Sequence, residues 1–482
     1  MKRFLWLGFV LFFYVIWSGC GDTFRPIIIP NPPTFPNPEA AHSVVSINDN
    51  GTVVPGSAMV IDVSGDSEMS AANVNVHPVH AAQQSANEVL VVNQAVTGLN
   101  VPTTSCLVAI PPTPPNQVFD VCPSITKLNF SSSTISSTSI ISLPIYSGAN
   151  FVAVAPSATT AYVTLPTYPP NPDQPLPQTI VPSVGVVNIN TNSVVATIPV
   201  SNNPGANPYA LAVTPDNTKL YVANQGDGTI SAFNTFNSIN LSPRAISGTL
   251  SSAPVWLVAR SDSQAVYVLE ANGTLAYLNI ISTAGPDILT ESAISVPGAV
   301  KMVYDSNKNR LYIPGGSTVA IVDVSQSTPS TTATETITPI TPQGPCSTAT
   351  AATTFYTVDV AALPDGSRAY VGSYYEDAND NICPQVTVID AMSYAVESVI
   401  AVPGFPAYDA FCALPVSQQG PRFRIMMAAA GDSSRAYLSS CDGGNVNFVD
   451  TSTDTYIQNL PAPASSRSQN PPQNPVFLLA GP

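Results

Sequence analysis

Three histidines, His42, His77 and His80, are the whole imidazole supply of this 482-residue chain, and catalysis or zinc binding needs groups that converge. His77 and His80, three apart on an expected strand, point to opposite faces and do not chelate one ion together, so they read as core or loop residues. No Gly-x-Ser-x-Gly elbow, HExxH pair or phosphate-binding glycine loop occurs. Asp377-Ala378-Asn379-Asp380-Asn381 supplies the first three oxygen positions of a calcium loop, which makes Asp377, Asn379 and Asp380 the metal candidates. Ile382 stands where the turn glycine belongs and Val388 where the bidentate glutamate belongs, so the stretch reads as a solvated acidic loop. Asp305, Asp359 and Asp409 fall near the axis of the repeat described below, yet sequence brings no two of them within reach of each other. No catalytic residue, metal or cofactor is therefore assigned.

Composition narrows the partners. Only 9% of residues are charged, 48 are proline and 44% are hydrophobic, a composition that still buries a sizeable core under a surface of neutral polar groups. The net charge of −15, with no Lys/Arg cluster after the first three residues, repels a phosphate backbone, which sets nucleic acid aside.

Lys2 and Arg3 precede an apolar run from Phe4 to Trp17 and then Ser18-Gly19-Cys20. A basic start, a short apolar stretch and small residues at the cut make a secretory signal, shorter than a membrane span. Ending on Gly19-Cys20, it resembles the bacterial lipoprotein signal. That resemblance implies cleavage after residue 19 and lipidation of Cys20, with an uncleaved anchor helix as the alternative. Both readings tether the chain to a membrane on its extracytoplasmic side, at the periplasm or cell surface. Residues 20–41 read as a stiff tether, with six prolines between Phe24 and Pro38. Residues 42–482 form the folded domain, expected to be monomeric.

The elements that must position any site recur. In Asn207–Thr235 an apolar strand (Tyr209–Val213) runs through the turn Pro215-Asp216-Asn217-Thr218 into a second strand (Leu220–Ala223), and an alternating third strand follows from Thr229 to Phe233. The same start recurs from His77, Phe151, Pro254, Val300, Thr357 and Ile425. A fourth strand follows in most units, as at Val194–Val200. Four antiparallel strands per unit are the sign of an all-β propeller, whose blades leave only short edges. The Tyr-Val pair and the Pro-Asp turn, clearest in Tyr221-Val222-Ala223-Asn224, resemble YVTN-type β-propeller repeats. Asn474-Pro475-Val476-Phe477-Leu478-Leu479-Ala480 copies Ala253–Ala259 almost position for position and has no second strand after it. Ser43–Ile47, Ala58–Val63 and Ala72–Val76 are second, third and fourth strands with no first. One blade shared by both ends closes a ring of eight, the preferred number; seven is the alternative if one end packs elsewhere.

With strands A to D in chain order, the A–B and C–D turns lie at one end of each blade and the B–C and D–A connections at the other. The long insertions, at 95–123, 166–182, 341–354, 375–384 and 412–421, are all B–C or D–A and so share one face. Setting Cys20 aside leaves Cys106, Cys122, Cys346, Cys383, Cys412 and Cys441, an even number that favours disulfides in an exported chain. Pairing them in order staples loops of that one face. The expected role is a membrane-tethered binding scaffold whose loop face takes a protein, peptide or glycan. The alternatives are a lactonase-like or quinoprotein-like enzyme at the channel and a purely structural envelope protein.

Overall fold

The computed structural model describes residues 43–50, 55–85, 87–94, 107–109, 118–120, 123–131, 134–144, 148–166, 181–235, 241–281, 285–347, 355–406, 412, 421, 423–461 and 474–480. His42, Asp409, Cys20, Cys106 and Cys122 lie outside them. Within these residues the chain is all β, arranged as eight antiparallel blades of four strands. Blade 1 is built from both ends: Asn474–Ala480 is its inner strand, followed outward by Ser43–Asp49, Pro55–Asp62 and Ser67–Val76. The inner strands of blades 2 to 8 begin at Pro78, Val152, Pro208, Pro254, Val303, Phe355 and Ile425. Eight sheets settle the blade number and set the seven-bladed alternative aside.

Blades pack face to face, and each of the eight interfaces holds its own apolar cluster. The clusters joining blade 1 to both neighbours need the C-terminal strand: Val476 packs toward blade 2 and Leu478 toward blade 8. A chain with alternating side chains on every strand buries both faces of each sheet only when blades stand on either side. Ring closure is what supplies both neighbours to blade 1.

The recurrent tyrosine of strand B explains itself at these interfaces. Tyr162, Tyr221, Tyr267, Tyr312, Tyr370 and Tyr437 are all fully buried. Several reach across to the next blade: Tyr221 Oη donates to Asp287 at 2.7 Å, and Tyr370 Oη donates to Asp454 at 2.6 Å. Two residues earlier in four of these strands stands a cation that makes the same crossing. Lys219 pairs with Asp287, Arg310 donates to Ala391 O and Tyr394, Arg368 pairs with Asp454 and Arg435 with Asp66. These pins lie at the A–B end. The last one joins blade 8 to blade 1, and so the two halves of the chain.

Three local expectations change. Residues 375–384 are not a loop, because strands Arg368–Glu376 and Asn381–Asp390 continue until only Asp377–Asp380 remains as a turn. Buried Tyr374, Tyr375 and Ile382 extend the pairing, and Cys383 therefore sits on a strand. His77 is not on a strand either; it holds a bend at φ +55° between blades 1 and 2. Asp305 caps the A–B turn of blade 6, where its Oδ1 accepts from the Asn307 and Lys308 amides, so it is away from the channel mouth. Blade 4, which holds Asn207–Thr235, is also irregular at its rim. Its fourth strand is only Ser242–Arg244, after which Ile246-Ser247 crosses to pair in parallel with blade 5.

Candidate site at the mouth of the central channel

Five inner strands carry one extra residue at the same place. Pairing skips Val476 in blade 1, Val79 in blade 2, Tyr209 in blade 4, Val255 in blade 5 and Val358 in blade 7. In four of them the residue before it is proline, which has no amide hydrogen to lose from the ladder, and such bulges re-aim the side chains beside them. All five bulged residues line a cavity of about 150 Å³ on the ring axis. Gln225 and Ala271, each just beyond a strand B, also line it, which places the cavity at the B–C and D–A end of the channel.

The wall is aromatic on one side. His80 stacks on Phe151 with ring centroids 3.8 Å apart and stands 4.7 Å from Phe477. Phe151 meets Trp256 edge to face at 5.6 Å, and Lys301 Nζ lies 5.6 Å from the Trp256 ring. Blades 1, 2, 3, 5 and 6 each contribute one of these groups. Lys301 bonds both oxygens of Asp359 at 2.8 Å. Asp359 is fully buried and also accepts from the amides of Val360 and Met427, so it ties blades 6, 7 and 8 together. Arg424 enters from blade 8. The protein surrounds it deeply enough that burial holds its guanidinium below the usual arginine range, with Tyr209, Asp49 and Asp442 pulling the other way. Burial, then Lys301 and Arg424, pushes the His80 pKa down to about 3. Neutral His80 accepts from the Val152 amide at Nδ1 (3.4 Å), leaving Nε2 as a donor.

The other sequence candidates serve the loops. Cys346–Cys383 and Cys412–Cys441 are disulfides, with Cα atoms 5.9 and 6.1 Å apart, the first joining a D–A connection to strand C of the blade it enters and the second joining one to the B–C turn just after strand B. Gly404 packs on the first, since a Cβ there would collide with Cys346 Sγ. Asp377 lies beside the same disulfide. Its carboxylate accepts from Ser347 N and Oγ, Asn379 N, and Asn381 N and Nδ2. Burial pushes Asp377 up, but these donors outweigh it and hold the carboxyl well below its usual range. Asp380 takes φ +58° at the end of that turn and donates its amide to Asp377 O. A second concavity of about 500 Å³ lies on the rim between blades 4 and 5, but its one charged group, Arg244, is committed to Asp287, Ile281 O and Gly285 O.

Sequence reading missed Arg424, Lys301, Tyr209 and the aromatic wall. One signal was present: in Pro78-Val79-His80, Pro254-Val255-Trp256 and Pro475-Val476-Phe477 the residue two after proline varies while its neighbours repeat. That variable place lines the channel beside the bulged residue.

The ring and its axial cavity define an eight-bladed β-propeller. No family model and no curated protein matches the chain, so the likeness to YVTN-type repeats rests on the repeated residues. Solved structures do match. A dihydro-haem d1 dehydrogenase, NirN, in complex with DHE superposes with TM-score 0.55 at 10% identity, over 94% of this chain and 78% of that one. A functionally unknown protein from Desulfotomaculum acetoxidans DSM 771 gives 0.50 at 9% identity, over 87% and 95%. A putative 6-phosphogluconolactonase from Bacteroides uniformis ATCC 8492 gives 0.50 at 12% identity, over 76% and 98%. Identities this low carry the fold and nothing about activity.

Proposed function

We propose that this protein is a binding propeller, tethered outside the cytoplasm through Cys20, whose ligand enters the channel mouth from the loop face. The observation that carries this reading is the division of labour between the two ends of the ring. Charged pins lace the A–B end, whereas both described disulfides and the cavity share the B–C and D–A end. A surface ordered in advance binds at lower entropic cost. The groups that could act as a base at the cavity are already engaged: Asp359 by Lys301 and two amides, and His80 Nδ1 by the Val152 amide. This supports binding over turnover.

The test exposes the purified protein to fractionated envelope extract and reads retained compounds by native mass spectrometry. One compound held unchanged at one to one, and lost in Trp256→Ala, is the expected result. A compound recovered chemically altered would instead make the channel an enzyme site.

A further inference from the structure

Arg424 is the odd arginine among the described residues. The five other described arginines each have a protein partner: Arg244 with Asp287, Arg260 with Asp262, Arg310 with Tyr394, Arg368 with Glu397 and Arg435 with Asp66. Arg424 has no ion pair or side-chain hydrogen bond with a described residue, and its Nε is buried without a partner. Asp49 and Asp442 favour its charge from a distance but form no ion pair with it; Asp49 Oδ2 is bonded to His77 Nδ1 at 2.8 Å and Asp442 Oδ1 accepts from the Cys412 amide. A partly buried guanidinium whose Nε is buried and unbonded, with no ion pair, is costly to hold, so its retention points to a group that completes it.

The rest of the lining is biased the same way. The Asn150 carbonyl accepts from Gln94, and the Gln225 carbonyl accepts from Asn207, which leaves both side chains their N–H donors. His80 offers Nε2–H and Tyr209 a hydroxyl. With Asp359 satisfied by its own partners, the hydrogen-bonding capacity left at the cavity is mostly that of donors. Opposite these stand Phe151, Trp256 and Phe477. A cavity of about 150 Å³ with apolar walls accommodates a benzene-sized body.

Resting on the binding role proposed above, we infer that the channel mouth is an anion site for a small monocarboxylate with an aromatic or branched body. Its oxygens lie on Arg424 and its body lies against the aromatic wall. The carboxylate replaces the missing partner of Arg424 with a charge-assisted, bidentate pair.

Isothermal titration of the purified full-length protein in chloride-free buffer compares benzoate with benzamide and benzylamine, which share its shape but not its charge. Benzoate should bind one to one, at least tenfold more tightly than benzamide, with no binding of benzylamine. Arg424→Gln should weaken benzoate at least about thirtyfold and change benzamide less than about threefold. Its ligand-free melting temperature should stay level or rise, since the partly buried, unpaired charge is gone; a purely structural arginine would lower it. Should that variant not fold, competition decides: formate must displace benzoate from the wild type and leave benzamide in place. Equal affinity for benzamide, or benzoate binding that survives Arg424→Gln, overturns the anion inference. A neutral compound retained from envelope extract with benzoate ignored would sink the carboxylate assignment and leave the binding role standing. Neither retained compound nor benzoate binding removes both.

Discussion

His80 and the strand-B tyrosines show how far one residue's chemistry depends on the ring around it. An unfolded histidine titrates near 6.5, whereas His80 in the folded channel takes a proton only near pH 3 because burial and two neighbouring cations disfavour a third charge. The unfolded chain therefore binds more protons between those values, and stability falls as pH drops below about 6.5. From pH 6.5 to 5 the loss assigned to this residue is about 1.5 kcal/mol by linkage. Denaturant melts should show that slope in the wild type and lose it in His80→Gln; parallel curves would place the ring elsewhere. The tyrosines make a sharper pair. Tyr221 donates to the buried Asp287 carboxylate, so Tyr221→Phe should cost about 1.5–3 kcal/mol, as expected of a hydrogen bond to a charged group. Tyr437 is equally buried but its hydroxyl has no partner, and its ring contact with Phe448 survives in phenylalanine. Tyr437→Phe should leave the melting temperature unchanged or raise it. Equal losses in the two variants would mean that ring packing, and not the hydroxyl, fixes the motif.

At the level of strands, the repeat was readable because its parts are local. Pro-Asp turns, alternating third strands and the orphan copy at Asn474–Ala480 all announce themselves within a few residues, and the structure places them where the pattern asks. The Lys/Arg-x-Tyr spacing at Lys219, Arg310, Arg368 and Arg435 was equally visible, but its meaning was not, because each partner lies on the next blade. The same limit hid the site. Arg424, Lys301, Tyr209 and His80 come from four blades and converge only after the ring closes, and the bulges that aim their neighbours are a matter of strand register. Register also accounts for the loop expected at 375–384, where the turn Asp377–Asp380 marks a break in the sequence while the flanking Tyr374, Tyr375 and Ile382 carry the strand pairing up to it.

For the whole molecule the decisive feature is where the chain is interrupted. Every pair of neighbouring blades is joined covalently through a D–A connection, and the break falls inside blade 1, where Val44 pairs with Ala480 and Asn48 with Pro475. Opening the ring at any interface thus strains either a connection or a strand pairing. Moving the break tests this. A circular permutant can join Ala480 to Ser43 by a short turn, matching the A–B turn of the other blades, and start instead between Asn202 and Asn203, which are exposed on the blade 3 to blade 4 connection. All eight blades are then complete, yet the interface between blades 3 and 4 keeps neither a connection nor a strand pairing, only an apolar cluster that includes Tyr162, Leu211 and Leu220 and side-chain hydrogen bonds such as Ser231 to Val200 O and Ser201 to Asp227. Hydrogen exchange of the strands on either side should quicken by about tenfold or more while the other interfaces keep their protection, since local opening there no longer breaks a sheet. Unchanged protection at that interface would mean that side-chain contacts close the ring unaided and that the shared blade adds nothing to its closure.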